Sequence, residues 1–228
     1  MNLENYPILE AFKKHNSNFN KSHFIKLPDD SNFGNLTLSI HQIIVRIDCV
    51  NNKIIELYND FIITKKKIEI YGFAEGSLSE GYKELMIIEE IFYFLKKTTD
   101  ELISMIFILT YFKAENKFPP KIKISSIGNL IYEHKKDKKP LGGLFDRYIN
   151  LFDTLNNVHN AYKHSFINSQ INAYRGAEYP VAFAYYLEHN DLKNSPGFYT
   201  IDIKVFLNDY DVFLKYIKNH IIINFQID

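Results

Sequence analysis

The chain has 228 residues, enough to bury one sizeable hydrophobic core. Hydrophobic residues make up 46% and charged residues 24% of it, a composition that excludes an intrinsically disordered chain. The 27 basic and 27 acidic residues give a net charge of zero, which excludes attraction of nucleic acid by a global field and leaves only local basic patches.

The sequence predicts a soluble, cytoplasmic protein without membrane contact. Its one cysteine, Cys49, cannot form an intramolecular disulfide, is typical of a reducing compartment and is expected to be a small buried hydrophobic residue. The first residues, MNLENYPILEAFKKH, lack the apolar region of a signal peptide. The longest apolar run, residues 102–112, has about half the length that a bilayer span needs.

Apolar residues at helical spacing predict two long helices in the first half of the chain. The first covers residues 38–63, and the segment TKKKIEIYGFAEGS (64–77) is expected to end it, with the lysines in a solvated turn. The string SLSE (77–80) has the form of a capping box and opens a helix over about 79–114. The prolines of NKFPPK (116–121) cannot continue that helix.

The third quarter of the chain predicts two more helices with a loop between them. A short helix is expected over 125–134, beginning at Ser125 or Ser126. The lysine-rich string EHKKDKKPLGG (133–143) has the composition of a loop. Residues 144–167 then form another helix with an inward apolar face.

The last quarter changes character. The strings YPVAFAYYLEHN (179–190) and FYTIDIKVF (198–206) are rich in β-branched and aromatic residues and flank a turn-rich connection, so they predict an antiparallel hairpin. Asn208 is expected to be the N-cap of a final helix over 209–221, with Asp211 near its positive end.

The predicted fold is mainly α: a helical bundle of long antiparallel helices with a small C-terminal β-hairpin and a final helix. We expect one domain over residues 1–228, with its core at about 38–168 and the hairpin and terminal helix at about 178–221.

The densest chemical motif is NNVHNAYKHSF (156–166), in which His159 and His164 are five positions apart. Residues at that spacing on a helix point about 140° apart, which disfavours a shared metal ion. Imidazolium is stabilised near a helix C-terminus, so both histidines are also compatible with a solvated or capping role.

Within this motif, HNAYKH (159–164) resembles the motif of HEPN domains, which are helical-bundle proteins of prokaryotic defence and toxin–antitoxin systems. In that family the last long helix ends in Arg, a polar residue that is often Asn, three variable residues and His. Asn160 and His164 match the pattern, whereas His159 stands in place of the arginine. The resemblance covers residues 38–168.

The resemblance implies a metal-independent endoribonuclease without a cofactor. Its catalytic residues are His164 as the base for the 2′-OH and His159 as the assisting acid, since an imidazole pKa near 6.5 suits either role. Histidine lacks the fixed charge and fork of arginine, and losing one charged transition-state contact costs about 3 kcal/mol, or about a hundredfold in rate. Lys163 or Arg175 is the candidate for the missing cation.

The resemblance also implies partners: RNA, a second copy of the chain facing it across a shared cleft, and a cognate antitoxin or neighbouring protein. The residues expected to bind RNA or support the site are Asn160, Tyr162, Lys163, Lys135 and Lys136. One alternative is a catalytically inactive HEPN-like module for dimerisation or protein interaction. Another, outside the family, is a helical protein whose hairpin and aromatic surface bind a partner.

Overall fold

The computed structural model describes residues 6–12, 25–71, 77–131, 141, 143–164, 178–187, 190–191 and 193–227, with the backbone alone for residues 77–80. Within these ranges the chain forms five α-helices and one hairpin, so the predicted mainly α fold with a C-terminal hairpin and final helix is confirmed. The elements are α1 (Leu36–Tyr71), α2 (Ser77–Glu115), α3 (Ile127–Ile131), α4 (Ile149–His164), β1 (Val181–Tyr186), β2 (Gly197–Asp202) and α5 (Ile203–Phe225).

Helix α1 has one continuous buried stripe, because its apolar residues alternate at steps of four and three. The stripe consists of Leu36, Ile40, Ile43, Ile47, Val50, Ile54, Leu57 and Phe61. The predicted break after residue 63 is wrong, since α1 continues to Tyr71. Lysine and glutamate are good helix formers, and Thr64 is buried with its hydroxyl donating to Glu84 Oε1 at 3.0 Å.

The start of α5 also differs from the prediction. Asn208 is not an N-cap, because α5 begins at Ile203 and Asn208 lies inside it. Asp202 accepts the backbone N–H of Val205 at 3.0 Å, which is the geometry of an N-cap and lies six residues before Asn208. The β-branched residues of 203–206 therefore belong to a helix whose buried face overrides their strand preference.

Other boundaries agree with the prediction where they are described, except the start of α4, which lies at Ile149 rather than at the predicted residue 144. Helix α2 opens at Ser77, although the side chains of the expected capping box lie outside the described ones. Ser126 accepts the N–H of Asn129 at 3.3 Å and so begins α3 as expected. The lysine-rich string at 133–143 lies mostly outside the described residues.

The chain divides into two compact units. The first contains Met1–Ile8, Val50–Leu95 and Thr154–Asp209, and the second contains Leu9–Cys49, Lys96–Asp153 and Tyr210–Asp228. The expectation of a single domain stays a prediction.

In the first unit, α1 and α2 run antiparallel and are joined by ion pairs. Lys53 of α1 lies 2.9 Å from Glu90 of α2. Lys83 of α2 lies 3.4 Å from Glu56 and 2.6 Å from Asp60, both on α1. Residues later in α1 therefore pair with residues earlier in α2, as antiparallel helices require. These pairs are partly exposed and contribute modestly to stability.

The hairpin belongs to the same unit. Its register places Val181 opposite Asp202 and Tyr186 opposite Gly197, with Ala182 and Ala184 buried. The N–H of Ile203 donates to the carbonyl of Pro180 at 3.3 Å, which ties the start of α5 to the hairpin.

The second unit is held by partly buried polar contacts between its segments. The guanidinium of Arg46 donates to both oxygens of Glu101, at 2.7 and 3.1 Å. Asp100 accepts the N–H of Ile127 at 2.8 Å and pairs with Lys96 at 2.6 Å. Such charge-assisted and bidentate bonds are the stronger class in proteins.

The structure bears on two further predictions, the burial of Cys49 and the absence of a membrane-spanning helix. Cys49 is exposed rather than buried, because it lies on the side of α1 opposite the apolar stripe. Of the described helices, none combines the length and apolar character that crossing a membrane requires.

Candidate site at the C-terminal end of α4

Helix α4 carries the motif, and a stripe of buried residues determines which face of the helix is turned to the core. A 3₁₀ turn at Asp146–Tyr148 leads into the helix, and its buried residues are Phe152, Leu155, Val158 and Ala161. The last helical residue described is His164, so the predicted extension to residue 167 lies outside the described part of the chain.

His159 is half-buried and packs against α2. Its ring stacks on Tyr93 with 6.1 Å between ring centroids and 28° between the planes. Its Nδ1 lies 3.4 Å from Oδ1 of the half-buried Asn160. Since Tyr93 is half-exposed, the pair presents an aromatic surface with one edge in solvent.

His164 has different surroundings, because it is exposed in the last turn of α4 beside the exposed Lys163. The side-chain amide of Asn190 donates to the backbone carbonyl of His164 at 2.9 Å. That bond satisfies one of the carbonyls left open at a helix C-terminus and fixes the backbone from which the imidazole projects.

The two imidazoles therefore do not form a pair on one helix face. Positions five apart differ by about 140° in direction, and His159 points to α2 while His164 is exposed. The expected shared cleft, which requires a second copy of the chain, stays a prediction.

Tyr162 ties the motif to the hairpin. Its hydroxyl donates to the carbonyl of Phe183 at 3.1 Å, and its ring meets Phe92 edge-on at 6.1 Å. Burial, with a smaller effect from the negative charge of Glu89, raises the pKa of Tyr162 well above the ordinary tyrosine value. Its hydroxyl thus holds α4 on β1 as a neutral donor.

The sequence-based list of site residues is only partly brought together. His159, Asn160, Tyr162, Lys163 and His164 lie on the last two turns of α4. Lys135 and Lys136 lie outside the described residues, as does Arg175.

Two residues of α2 that lie beside the motif could not be predicted from the sequence. Tyr93 stacks on His159, and Glu89, one turn earlier, is half-buried near Tyr162. Burial raises the pKa of the Glu89 carboxyl. The only sequence signal is their position on the α2 face that includes Phe92, whose contact with α4 depends on the tertiary fold.

We expect Glu89→Gln to stabilise the chain at neutral pH. The pKa of Glu89 is higher in the folded than in the unfolded chain, so the folded state binds more protons and stability falls as the pH rises above about 4.3, the ordinary glutamate value. Urea unfolding at pH 7 and at about pH 4 measures this difference. The variant is expected to be more stable than wild type at the higher pH alone, whereas Glu90→Gln, which loses the ion pair with Lys53, shows no such gain.

Among the described residues, no three His, Cys, Asp or Glu side chains lie close enough together to hold a metal ion. Comparison of the chain with protein-family models, with curated proteins and with solved structures finds no match.

Proposed function

We propose that this chain is a HEPN-like, cytoplasmic RNA-binding protein that cleaves RNA without a metal ion through His164. The observation that carries the proposal is that His164, the histidine of the family motif, is exposed on a backbone held by Asn190. An exposed imidazole at a fixed position is what proton transfer to or from a bound substrate needs.

The reaction uses the ribose 2′-OH as the nucleophile. His164 removes its proton, the 2′-oxygen bonds to phosphorus, and the bond from phosphorus to the 5′-oxygen breaks as that oxygen takes up a proton. A second copy of the chain supplies the acid through its own histidine, as in a dimer whose two motifs share a cleft. Lys163, exposed beside His164, supplies positive charge for the phosphorane.

His159 has a positioning role in this scheme. Its stack on Tyr93 holds the last turns of α4 against α2, one turn before His164. Its half-buried ring is less suited than arginine to contact a phosphate, because it has neither the fork nor the fixed charge.

The stack of His159 on Tyr93 favours a second candidate, a catalytically inactive HEPN-like module that dimerises or binds an antitoxin or another neighbouring protein. In that candidate, His159 stands in place of the arginine of the family motif and serves only to pack α4 against α2. Both candidates belong to prokaryotic defence or toxin–antitoxin biology, and they differ in whether His164 acts on RNA.

We expect His164→Ala to lower the rate of RNA cleavage by about a hundredfold, because it removes the group that accepts the 2′-OH proton. His159→Ala should lower the rate by less than about tenfold, through looser packing of α4. The rates are measured with purified protein, a structured RNA and EDTA. His41→Ala, on α1 in the other unit, controls for loss of any imidazole.

Equal rates for wild type and His164→Ala would contradict cleavage through His164. No cleavage by the wild type, together with a dimer in solution, would favour the inactive module.

A further inference from the structure

The loop between α2 and α3, residues 116–126, exposes three lysines within seven positions. Lys117, Lys121 and Lys123 are all exposed, and we call them the lysine loop cluster. From the sequence, the prolines of this loop predict the end of a helix, and no role is predicted for its lysines. The loop belongs to the second unit, whereas the motif on α4 belongs to the first.

The backbone of the loop is fixed at its start. Asn116 adopts a left-handed conformation with φ of 51°, and its N–H donates to the carbonyl of Phe112 at 2.8 Å, which closes the end of α2. Phe118 stacks on Phe112 with 4.4 Å between ring centroids and 20° between planes. The buried Pro119 adds a residue whose φ is set by its ring.

The far end of the loop is fixed as well. The hydroxyl of Ser104 on α2 donates to the carbonyl of Ser125 at 3.2 Å, and Asn129 Oδ1 accepts the N–H of Ser125 at 3.0 Å. Ile124 is buried beside them. The three lysines thus project from a backbone tied down on both sides, so ordering it costs a ligand little further entropy.

The lysine loop cluster lacks the partners that other lysines of the chain have. Lys53, Lys83, Lys96 and Lys215 each pair with a carboxylate. The three loop lysines form no ion pair or hydrogen bond with any residue in the described ranges, and Glu115 is the one acid between positions 113 and 123. Like charges held close together repel, and a polyanion removes that repulsion.

The packing of the loop favours a phosphate chain over a membrane. Most of its apolar side chains are covered: Phe118 stacks on α2, Pro119 and Ile124 are buried and Ile122 is half-buried, whereas Pro120 is exposed. A loop that inserts into lipid exposes apolar or aromatic residues at its tip, whereas this loop exposes ammonium groups. The zero net charge of the chain makes a local cluster of this kind the route by which it can attract RNA.

We propose that the lysine loop cluster binds the phosphate backbone of single-stranded RNA. This inference rests on the proposed RNA binding and adds the surface that provides its electrostatic part. Contacts by lysine to phosphate carry no sequence preference, so the cluster supplies affinity while selection of a cleavage position lies elsewhere.

The test is the salt dependence of RNA binding by the full chain. The variant combines Lys117→Gln, Lys121→Gln and Lys123→Gln. The probe is a labelled single-stranded 2′-O-methyl RNA, which lacks the 2′-OH nucleophile and so stays intact during the binding measurement. Each lost phosphate contact lowers the slope of log K against log salt by about 0.7, so we expect a slope shallower by about 2 and an affinity about a hundredfold weaker near 0.1 M salt.

The control variant carries Lys66→Gln, Lys97→Gln and Lys193→Gln, which removes three exposed lysines from separate elements and changes the net charge equally. It is expected to keep the wild-type slope. If the wild type binds RNA and the loop variant keeps both slope and affinity, the inference is wrong while RNA binding stands. If the wild type binds no RNA, or binds anionic vesicles in place of RNA, the inference and the proposed RNA binding both fail.

Discussion

Phe92→Ala is expected to lower the free energy of unfolding by about 4 kcal/mol, the middle of the range for removing a buried phenylalanine. Phe92 on α2 is 1% exposed and stacks on Phe206 of α5 with ring centroids 4.9 Å apart. It also meets Tyr162 edge-on at 6.1 Å, one turn from His159. The change therefore opens a cavity in the first unit and removes the support under the motif-bearing end of α4.

Urea unfolding monitored by circular dichroism measures the effect. Phe92→Leu keeps most of the buried volume and is expected to cost about 1.5 kcal/mol. Tyr82→Ala removes an aromatic ring that is 53% exposed on the same helix and should change the free energy by less than about 0.5 kcal/mol. Equal losses for Phe92→Ala and Tyr82→Ala would contradict the packing described for α2.

Asp211→Ala is expected to cost about 3 kcal/mol, because it leaves two backbone donors without an acceptor. Oδ1 of Asp211 accepts the N–H groups of Glu10 and Ala11, at 2.7 and 2.9 Å, and Asp211 is 7% exposed. Lys218 Nζ donates to the carbonyl of Ala11 at 2.8 Å, so one carboxylate and one ammonium hold residues 9–12 on α5.

Amide hydrogen exchange of Glu10 and Ala11 reports this contact separately from global stability. Both amides are expected to lose protection in Asp211→Ala and to keep most of it in Asp211→Asn, which retains an oxygen acceptor and costs about 1 kcal/mol. Asp209→Ala, at an exposed position of the same helix, is the control. Unchanged protection in Asp211→Ala would show that residues 9–12 are held by their apolar side chains alone.

The long helices could be predicted from sequence because their apolar residues recur at steps of three and four. The stripe on α1 from Leu36 to Phe61 identifies a helix and its buried face without tertiary information. The hairpin could be predicted for a similar reason, since β-branched and aromatic runs flank a turn-rich connection.

Two helix boundaries, the end of α1 and the start of α5, could not be predicted, because the local composition favours a different structure there. The lysines after residue 63 favour a solvated turn by composition, yet α1 stays helical to Tyr71, and the hydroxyl of Thr64 donates to Glu84 of α2. The valine and isoleucine of 203–206 favour a strand, yet Asp202 caps a helix at that point. The partner of Thr64 lies 20 positions away on α2, whereas the cap at Asp202 is local and competes with the strand preference of the residues that follow it.

At the candidate site, the sequence predicts the directions of the two histidines but not their contacts. The spacing of His159 and His164 shows in the sequence alone that they diverge on a helix. The stack of His159 on Tyr93 joins residues far apart in the sequence, and so does the bond from Asn190 to the carbonyl of His164. These contacts give the two histidines different surroundings, on which the proposed roles of positioning for His159 and proton transfer for His164 rest.

The most direct measurement identifies the ends of RNA after incubation with the purified chain in EDTA. Attack by the 2′-OH leaves a 2′,3′-cyclic phosphate on one fragment and a 5′-hydroxyl on the other, whereas attack by water leaves no cyclic end. We expect cyclic phosphate ends with the wild type and about a hundredth of their initial rate of formation with His164→Ala. Intact RNA with the wild type, or the same ends in equal yield with His164→Ala, would contradict metal-independent cleavage through His164.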